Sequence, residues 1–286
     1  MGARDVLGRN ELDRINEKSI DLNGYFGSVW SGLDLVLAVT PSARLQERDL
    51  GLALFVYCLI GSAMTDIQYQ GFSVLAMHPE FVVLNKAPGI GMHDEDGIPG
   101  LVSEARRQLD MMLYPVHRLD KVTSGVLLLA RTPDANRELS MAFAAHRVEK
   151  TYLALSQHKP KKKQGWIKGD MERGRRGSWL LTRSMNNPAI TWFESYGLGD
   201  GLRLFVVQPK TGKTHQIRVA LKSLGSPIIG DEWYGAPPAD RVYLHAAQLK
   251  FPFQQQSWCF SAWPTQGLLF NQPQVVSLLP TALDWS

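Results

Sequence analysis

Over residues 71–253 short apolar runs alternate with glycine, proline and charged breaks, a pattern that predicts strands more than helices. Phe81-Val82-Val83-Leu84-Asn85-Lys86 is one such run, closed by a Pro88-Gly89 turn. Residues 125–130 are apolar throughout, as expected of a buried strand. Further strands are predicted over 151–155, 189–196, 202–208 and 243–251. One helix starts on Thr132 as N-cap, with Pro133 at N1 and Asp134 in the first turn. It should reach about His146, with Leu139, Ala142 and Phe143 on one face. A second helix is predicted over 214–224, stopped by Gly225. Many strands and few, short helices indicate an α+β domain on a mostly antiparallel sheet.

The pattern changes at both ends. Residues 1–70 show no sustained periodicity and are expected to be an extension of unknown structure. A small helical segment, an unstructured stretch and a non-native segment ahead of an internal start at Met64 or Met77 are all compatible with them. A folded domain is expected over 71–264, and 265–286 as an irregular tail. Residues 51–64 form the most membrane-like run, but 14 residues fall short of the ~20 that a spanning helix needs.

Composition narrows the classes. Hydrophobic residues at 44% and charged residues at 20% are ordinary for a soluble globular chain of 286 residues. A net charge of +4 leans mildly toward a polyanionic partner. Cys58 and Cys259 have no metal-ligand spacing, so a disulfide framework or zinc site is not expected and a reducing cytoplasm is. The first residues lack the apolar core of a secretory signal.

Four motifs carry candidate chemistry. Asn85-Lys86-Ala87-Pro88-Gly89 is a strand running into a turn. His117-Arg118-Leu119-Asp120-Lys121-Val122-Thr123-Ser124-Gly125 places a carboxylate at the mouth of the buried strand. Two flanking cations favour the ionised form that a nucleophile needs. A kinase catalytic loop is excluded, because Leu119 separates Arg118 from Asp120 and Gly125 stands where Asn is required. In Lys150-Thr151-Tyr152-Leu153-Ala154-Leu155, alternation sets Tyr152 between small or charged neighbours, a setting suited to stacking on a base. Thr211-Gly212-Lys213-Thr214-His215-Gln216-Ile217-Arg218 is a glycine turn opening a helix, a setting for anions such as RNA phosphate. It is not a P-loop, since Val207 stands where the pattern needs glycine. Between His158 and Arg183, nine Lys or Arg face two acids, with Trp166 and Trp179 interleaved. That composition suits a flexible RNA-gripping arm, and Lys161, Lys162, Lys163, Arg175 and Arg176 are its candidate backbone contacts.

In this order the motifs resemble the RluA-like family of RNA pseudouridine synthases. The resemblance extends through Gly225-Ser226-Pro227-Ile228-Ile229-Gly230-Asp231, Tyr234-Gly235 and Leu244-His245-Ala246, and covers about residues 72–264. It implies a mixed sheet with flanking short helices split by a central catalytic cleft, with neither metal nor organic cofactor. It implies that Asp120 is the nucleophile, that Tyr152 stacks on the target uracil and assists proton movement, and that Arg218 pairs with Asp120. Arg118 would fill the gap left by a flipped base. His117, Thr123 and Ser124 would shape the loop, and Lys213, His215 and Gln216 would join the substrate contacts. Transfer or ribosomal RNA is the expected partner, and a cytoplasmic monomer the expected state. Many relatives carry a small RNA-binding domain at the N-terminus, and residues 1–70 lack its basic helix pair.

Two other readings fit less well. A non-catalytic RNA binder should have lost Asp120, Tyr152 or Arg218, and all three are present. A glycosidase-like hydrolase would need a second carboxylate ~5–9.5 Å from the first, and no acid accompanies Asp120 in its own motif.

Overall fold

The apolar run at the centre of the chain organises the sheet. It forms β5 (Ser124–Ala130), in which every residue is buried. Successive strand side chains point to opposite faces. Val126 and Leu128 accordingly pack with Leu139 and Ala142 of α2 (Pro133–Ala144), whereas Leu127 and Leu129 pack with Leu101, Val102 and Ala105 of α1 (Leu101–Leu109). A strand covered by a helix on each face must be apolar at every position. Thr132 caps α2 as expected, accepting from the Ala135 amide at 3.2 Å.

The computed structural model, an α+β fold, describes residues 68–279. Three strands precede the centre: β1 (Gln68–Tyr69), β2 (Phe72–Met77) and β3 (Phe81–Lys86). After α1, the short β4 (Tyr114–Pro115) pairs along the far end of β5. Beyond α2 come β6 (Glu149–Ser156), β7 (Gln164–Gly169), a separate hairpin of β8 (Met171–Arg173) and β9 (Trp179–Leu181), then β10 (Ala189–Gly199) and β11 (Leu202–Pro209). The chain continues through α3 (Gln216–Ser223), β12 (Leu244–Phe253), β13 (Gln256–Ser261) and the one-turn α4 (Pro273–Val276). The main sheet runs β1-β2-β3-β5-β12-β6-β11-β10-β7, with β13 on β12 and β4 on β5. Every pairing is antiparallel except β5–β12, which is parallel over His245↔Ser124 and Ala246↔Gly125. The strands separate after those two pairs because each continues with another partner, β4 or β13. The loop ahead of β5 therefore opens at the middle of the sheet.

Gly125 makes that junction possible. Its φ is +113°, and an added Cβ would stand 2.2 Å from the Ala246 carbonyl oxygen. Gly125→Ala should cost on the order of 3 kcal/mol in urea unfolding, since neither the backbone angle nor the β12 backbone can yield cheaply. A loss under about 1 kcal/mol would show that the junction relaxes.

Several elements differ from expectation. The helix α1 has only Gly100 at its N-cap and no capping side chain, so it carries no start signal in the sequence. The segment 158–183, expected as a flexible arm, instead supplies the edge strand β7 and the β8–β9 hairpin. Its base is tied by Asp170, whose carboxylate accepts from the Asn186 and Asn187 amides at 3.0 and 2.8 Å. The stretch 265–279 includes α4 and buries Phe270, Val275 and Leu279 in the core, so this part of the expected tail is packed. Met77 ends β2, and a start there would remove that strand. Met64, Cys58 and the apolar run 51–64 lie outside the described residues. Among the described residues no helix is long and apolar enough to cross a membrane.

Candidate active site

A cavity of about 390 Å³ opens where the loop ahead of β5 meets β6 and the start of α3. Its lining includes Arg118, Asp120, Tyr152, Lys213, His215 and Arg218. The volume lies within the range of small-ligand sites.

The loop is held from below. Leu119 is 4% exposed and packs in the α1 cluster, anchoring the residue between Arg118 and Asp120. His117 stacks on Phe143 at 4.5 Å, and its Nε2 accepts from the Leu128 amide at 2.9 Å. Burial lowers its pKa to about 3, so the ring is neutral with the proton on Nδ1. The Thr123 amide donates to the Asp120 carbonyl at 3.0 Å, closing the turn.

The first sequence motif braces this loop. Lys86 is fully buried at the end of β3, and its ammonium donates to the carbonyls of Thr123 at 2.8 Å, Lys121 at 3.2 Å and Ala87 at 2.8 Å. The Gly89 amide adds a second bond to the Lys121 carbonyl at 2.8 Å. Burial, aided by the Arg241 charge and opposed by the Asp120 carboxylate, lowers the Lys86 pKa to about 7.

Behind the loop, His245 Nε2 lies 2.8 Å from the Ala262 carbonyl, which can only accept, so that nitrogen carries the proton. Its Nδ1 therefore accepts from the Ser124 hydroxyl at 2.8 Å, and the Ser124 oxygen accepts from Arg241 Nη2 at 2.7 Å. Burial brings the His245 pKa down to about 4. In the unfolded chain both rings titrate near 6.5. Below that pH the unfolded state takes up protons that the native state refuses, so stability falls as pH drops from 6.5 toward 4. The His245→Asn variant should show a slope shallower by about 1.4 kcal/mol per pH unit in that window, read from urea midpoints. An unchanged slope would show that His245 is protonated without cost in the native state.

Asp120 faces the cavity from the loop, and Arg218 faces it from α3. The Arg218 Nη1 lies 3.6 Å from Asp120 Oδ2. Its stronger bonds go elsewhere: Nε donates to Asp231 Oδ2 at 2.7 Å and Nη2 to Asp231 Oδ1 at 2.8 Å. The Tyr234 ring lies 5.0 Å from the guanidinium carbon. Burial alone would lower the Arg218 pKa, but the hydrogen bonds and charge of Asp231 outweigh it and raise it. Arg218 is thus a clamped cation with one nitrogen turned to Asp120. Asp231, more than a hundred residues beyond the Asp120 motif, is a second carboxylate on the same guanidinium. It is 1% exposed and bound bidentately, leaving it no freedom as an acid or base.

Tyr152 lines the cavity and packs against both the core under β6 and β11 and the α1 cluster. Burial, reinforced by the Asp120 carboxylate, raises its pKa, so the phenol keeps its proton.

The 211–216 turn is a knot. The Gln216 Oε1 accepts from the Thr211 hydroxyl at 2.7 Å and the Lys213 amide at 3.0 Å. Its Nε2 donates to the Ile190 carbonyl and Thr191 hydroxyl. This buried amide shapes the turn and has no bond left for a ligand. It also delays α3 to residue 216, because His215 stands in the left-handed region at φ 59°. The Lys213 ammonium donates to the Asn187 carbonyl at 2.6 Å, linking the turn to the 184–187 loop. His215 Nδ1 lies 2.9 Å from the Tyr234 hydroxyl. Burial, then the Arg218 charge, lowers its pKa.

Arg118 is exposed at the cavity rim, and Arg175 is exposed on the β8–β9 turn, which also holds Arg176. Lys161, Lys162 and Lys163 are exposed ahead of β7. The register Tyr152–Val207–Phe193–Gly165 sets that edge three strands from Tyr152, roughly 14 Å to the side. Asp231, Tyr234 and Lys86 are absent from the sequence-based site. Each stood in a motif the sequence analysis names, Lys86 in the strand that runs into the Pro88-Gly89 turn and Asp231 and Tyr234 in the stretch that extends the resemblance, but no local signal gave any of them a role.

Comparison with known proteins gives a consistent result. A family model described as RNA pseudouridylate synthase matches residues 80–223. A Haemophilus influenzae protein named an uncharacterized RNA pseudouridine synthase is 48% identical over 205 residues, which cover 71% of this chain and 92% of the relative. A ribosomal large subunit pseudouridine synthase C of Haemophilus ducreyi is 34% identical over 74% of this chain and 73% of its own. The solved human RNA pseudouridylate synthase domain containing 1 has the same fold, with a TM-score of 0.61 at 22% identity over 77% of this chain and 98% of that one.

Proposed function

Because the chain belongs to the RNA pseudouridylate synthase family, whose members are isomerases of RNA uridines, we propose that Asp120 is its nucleophile and structured ribosomal or transfer RNA its substrate. One observation carries the assignment: Asp120 is a carboxylate on a braced loop, facing a cavity that Tyr152 and a clamped Arg218 also line.

The reaction breaks the N1–C1′ bond of uridine, turns the uracil and joins C5 to C1′. The C5 hydrogen leaves as a proton, and N1 gains one. A stacked uridine cannot reach Asp120, so the nucleotide is extruded into the cavity, with Arg118 at the rim to occupy the gap. The Asp120 carboxylate compensates positive charge at C1′ as the bond breaks, by covalent addition or as an ion. Tyr152 holds the freed base by stacking, and its neutral phenol is available for proton movement at C5. Its burial limits the water that could capture the intermediate. Arg218 fixes the direction of the carboxylate. His117, Thr123 and Gln216 act by shaping the walls, and Lys213 and His215 line them. The described residues 71–264 supply all of these groups.

The Haemophilus ducreyi relative is named for the ribosomal large subunit, which favours ribosomal RNA as the first pool to test. Tritium release from RNA labelled at uridine C5 tests the reading, using purified protein with separate ribosomal and transfer RNA pools. Release above background identifies the pool to map. Release of free uracil instead would favour a hydrolase, and silence in both pools would defeat the proposal.

A further inference from the structure

The 3-10 turn Glu232–Tyr234 sends one aromatic inward and leaves its neighbour outside. Tyr234 is 5% exposed and packs under Arg218 and His215, whereas Trp233 is 61% exposed. A large apolar ring left in water marks a contact surface when its surroundings also point to a partner. Here they do. The indole stands edge-on to His215 at 5.6 Å, and the Arg218 guanidinium carbon lies 5.7 Å from its centre. Both residues line the active cavity. On another side the Gly177 backbone passes close by, where an added Cβ would stand 3.8 Å from the indole Cζ3. Gly177 belongs to the Arg175–Gly177 turn of the basic hairpin, which is docked here by the Trp179 amide donating to the Tyr234 hydroxyl at 3.1 Å.

We propose that Trp233 is a stacking platform for the base of an unpaired nucleotide flanking the target uridine, with the turn carrying Arg175 beside that nucleotide's phosphate. The inference rests on the RNA reading above and adds a substrate-binding contact outside the cavity. Extrusion of one nucleotide unstacks its neighbours, and an indole at the cavity mouth replaces a lost stacking partner without reading base identity. Phosphates alone would be held by charge and would not need the ring.

The test separates stacking from charge. Anisotropy titrations of the full chain use two fluorescein-labelled 12-nucleotide probes at one salt concentration, oligouridylate and an abasic ribose-phosphate strand of equal length. Trp233→Ala and Trp233→Leu should weaken oligouridylate binding about tenfold and leave the abasic strand within twofold. Trp233→Phe should stay within threefold of the wild type for both. Unchanged oligouridylate binding in the Ala and Leu variants would overturn the proposal, as would equal weakening of both probes. Absence of tritium release from the wild-type protein would count against the catalytic reading, while this binding difference would still be readable.

Discussion

Asp120→Asn should fold, bind RNA and lose tritium release by three or more orders of magnitude. The substitution keeps the size of the side chain and removes its charge. Little of the fold depends on that charge: the Asp120 side chain is 19% exposed, and its ion pair with Arg218 is the long one at 3.6 Å. The bidentate bonds that hold Arg218 go to Asp231 and survive the change. The loop itself hangs on backbone groups, the carbonyls of Lys121 and Thr123 on Lys86 and the buried Leu119. Unfolding free energy should therefore move by less than about 1 kcal/mol. Asparagine can neither add to a sugar or base carbon as a carboxylate does nor compensate developing positive charge. Turnover within tenfold of wild type would remove Asp120 from the nucleophile's role. Lost turnover accompanied by lost RNA binding would place it in recognition instead.

The second large effect falls on Asp231, which is buried behind Arg218. Asp231→Asn should lose about 3–5 kcal/mol of stability and at least a hundredfold in turnover. Arg218 is 4% exposed, and two hydrogen bonds of 2.7 and 2.8 Å to Asp231 compensate the burial of its charge. Removing the partner's charge leaves a guanidinium that is desolvated and under-bonded, the costly way to break a buried pair. Its remaining acid is Asp120, so Arg218 should shift toward that carboxylate and bind the group that the proposed reaction needs free. Arg218→Met/Asp231→Leu separates structure from chemistry. Replacing a buried ion pair with apolar residues of similar volume is often neutral for stability. The double variant should unfold within about 2 kcal/mol of wild type and remain inactive. Recovery of turnover together with stability would show that the pair serves the fold alone.

The chain's own order of residues determined the elements whose signals are local. The apolar stretch of β5, the Thr132-Pro133 start of α2 and the stop of α3 before Gly225 are written in contiguous residues, and they stand where expected. The candidate nucleophile was legible for the same reason, since Asp120 and the glycine that lets β5 approach β12 sit five residues apart. Local signals are weaker where a polar residue does a buried task. Helix α1 begins on a glycine with no side chain to announce it, and β7 hides its strand under exposed Lys, Gln and Trp side chains. Gln216 reads as a ligand contact in sequence and is an internal tie, because its four bonds come from residues up to 26 positions away. Only the tertiary structure decided which acid holds Arg218, that Lys86 braces the Asp120 loop, and that Trp233 stands in water beside the cavity. Ion pairing and burial depend on distances in space, whereas sequence periodicity reports only the face on which a residue lies. A parallel junction between strands some 120 residues apart creates those distances, and no run of neighbouring residues encodes it.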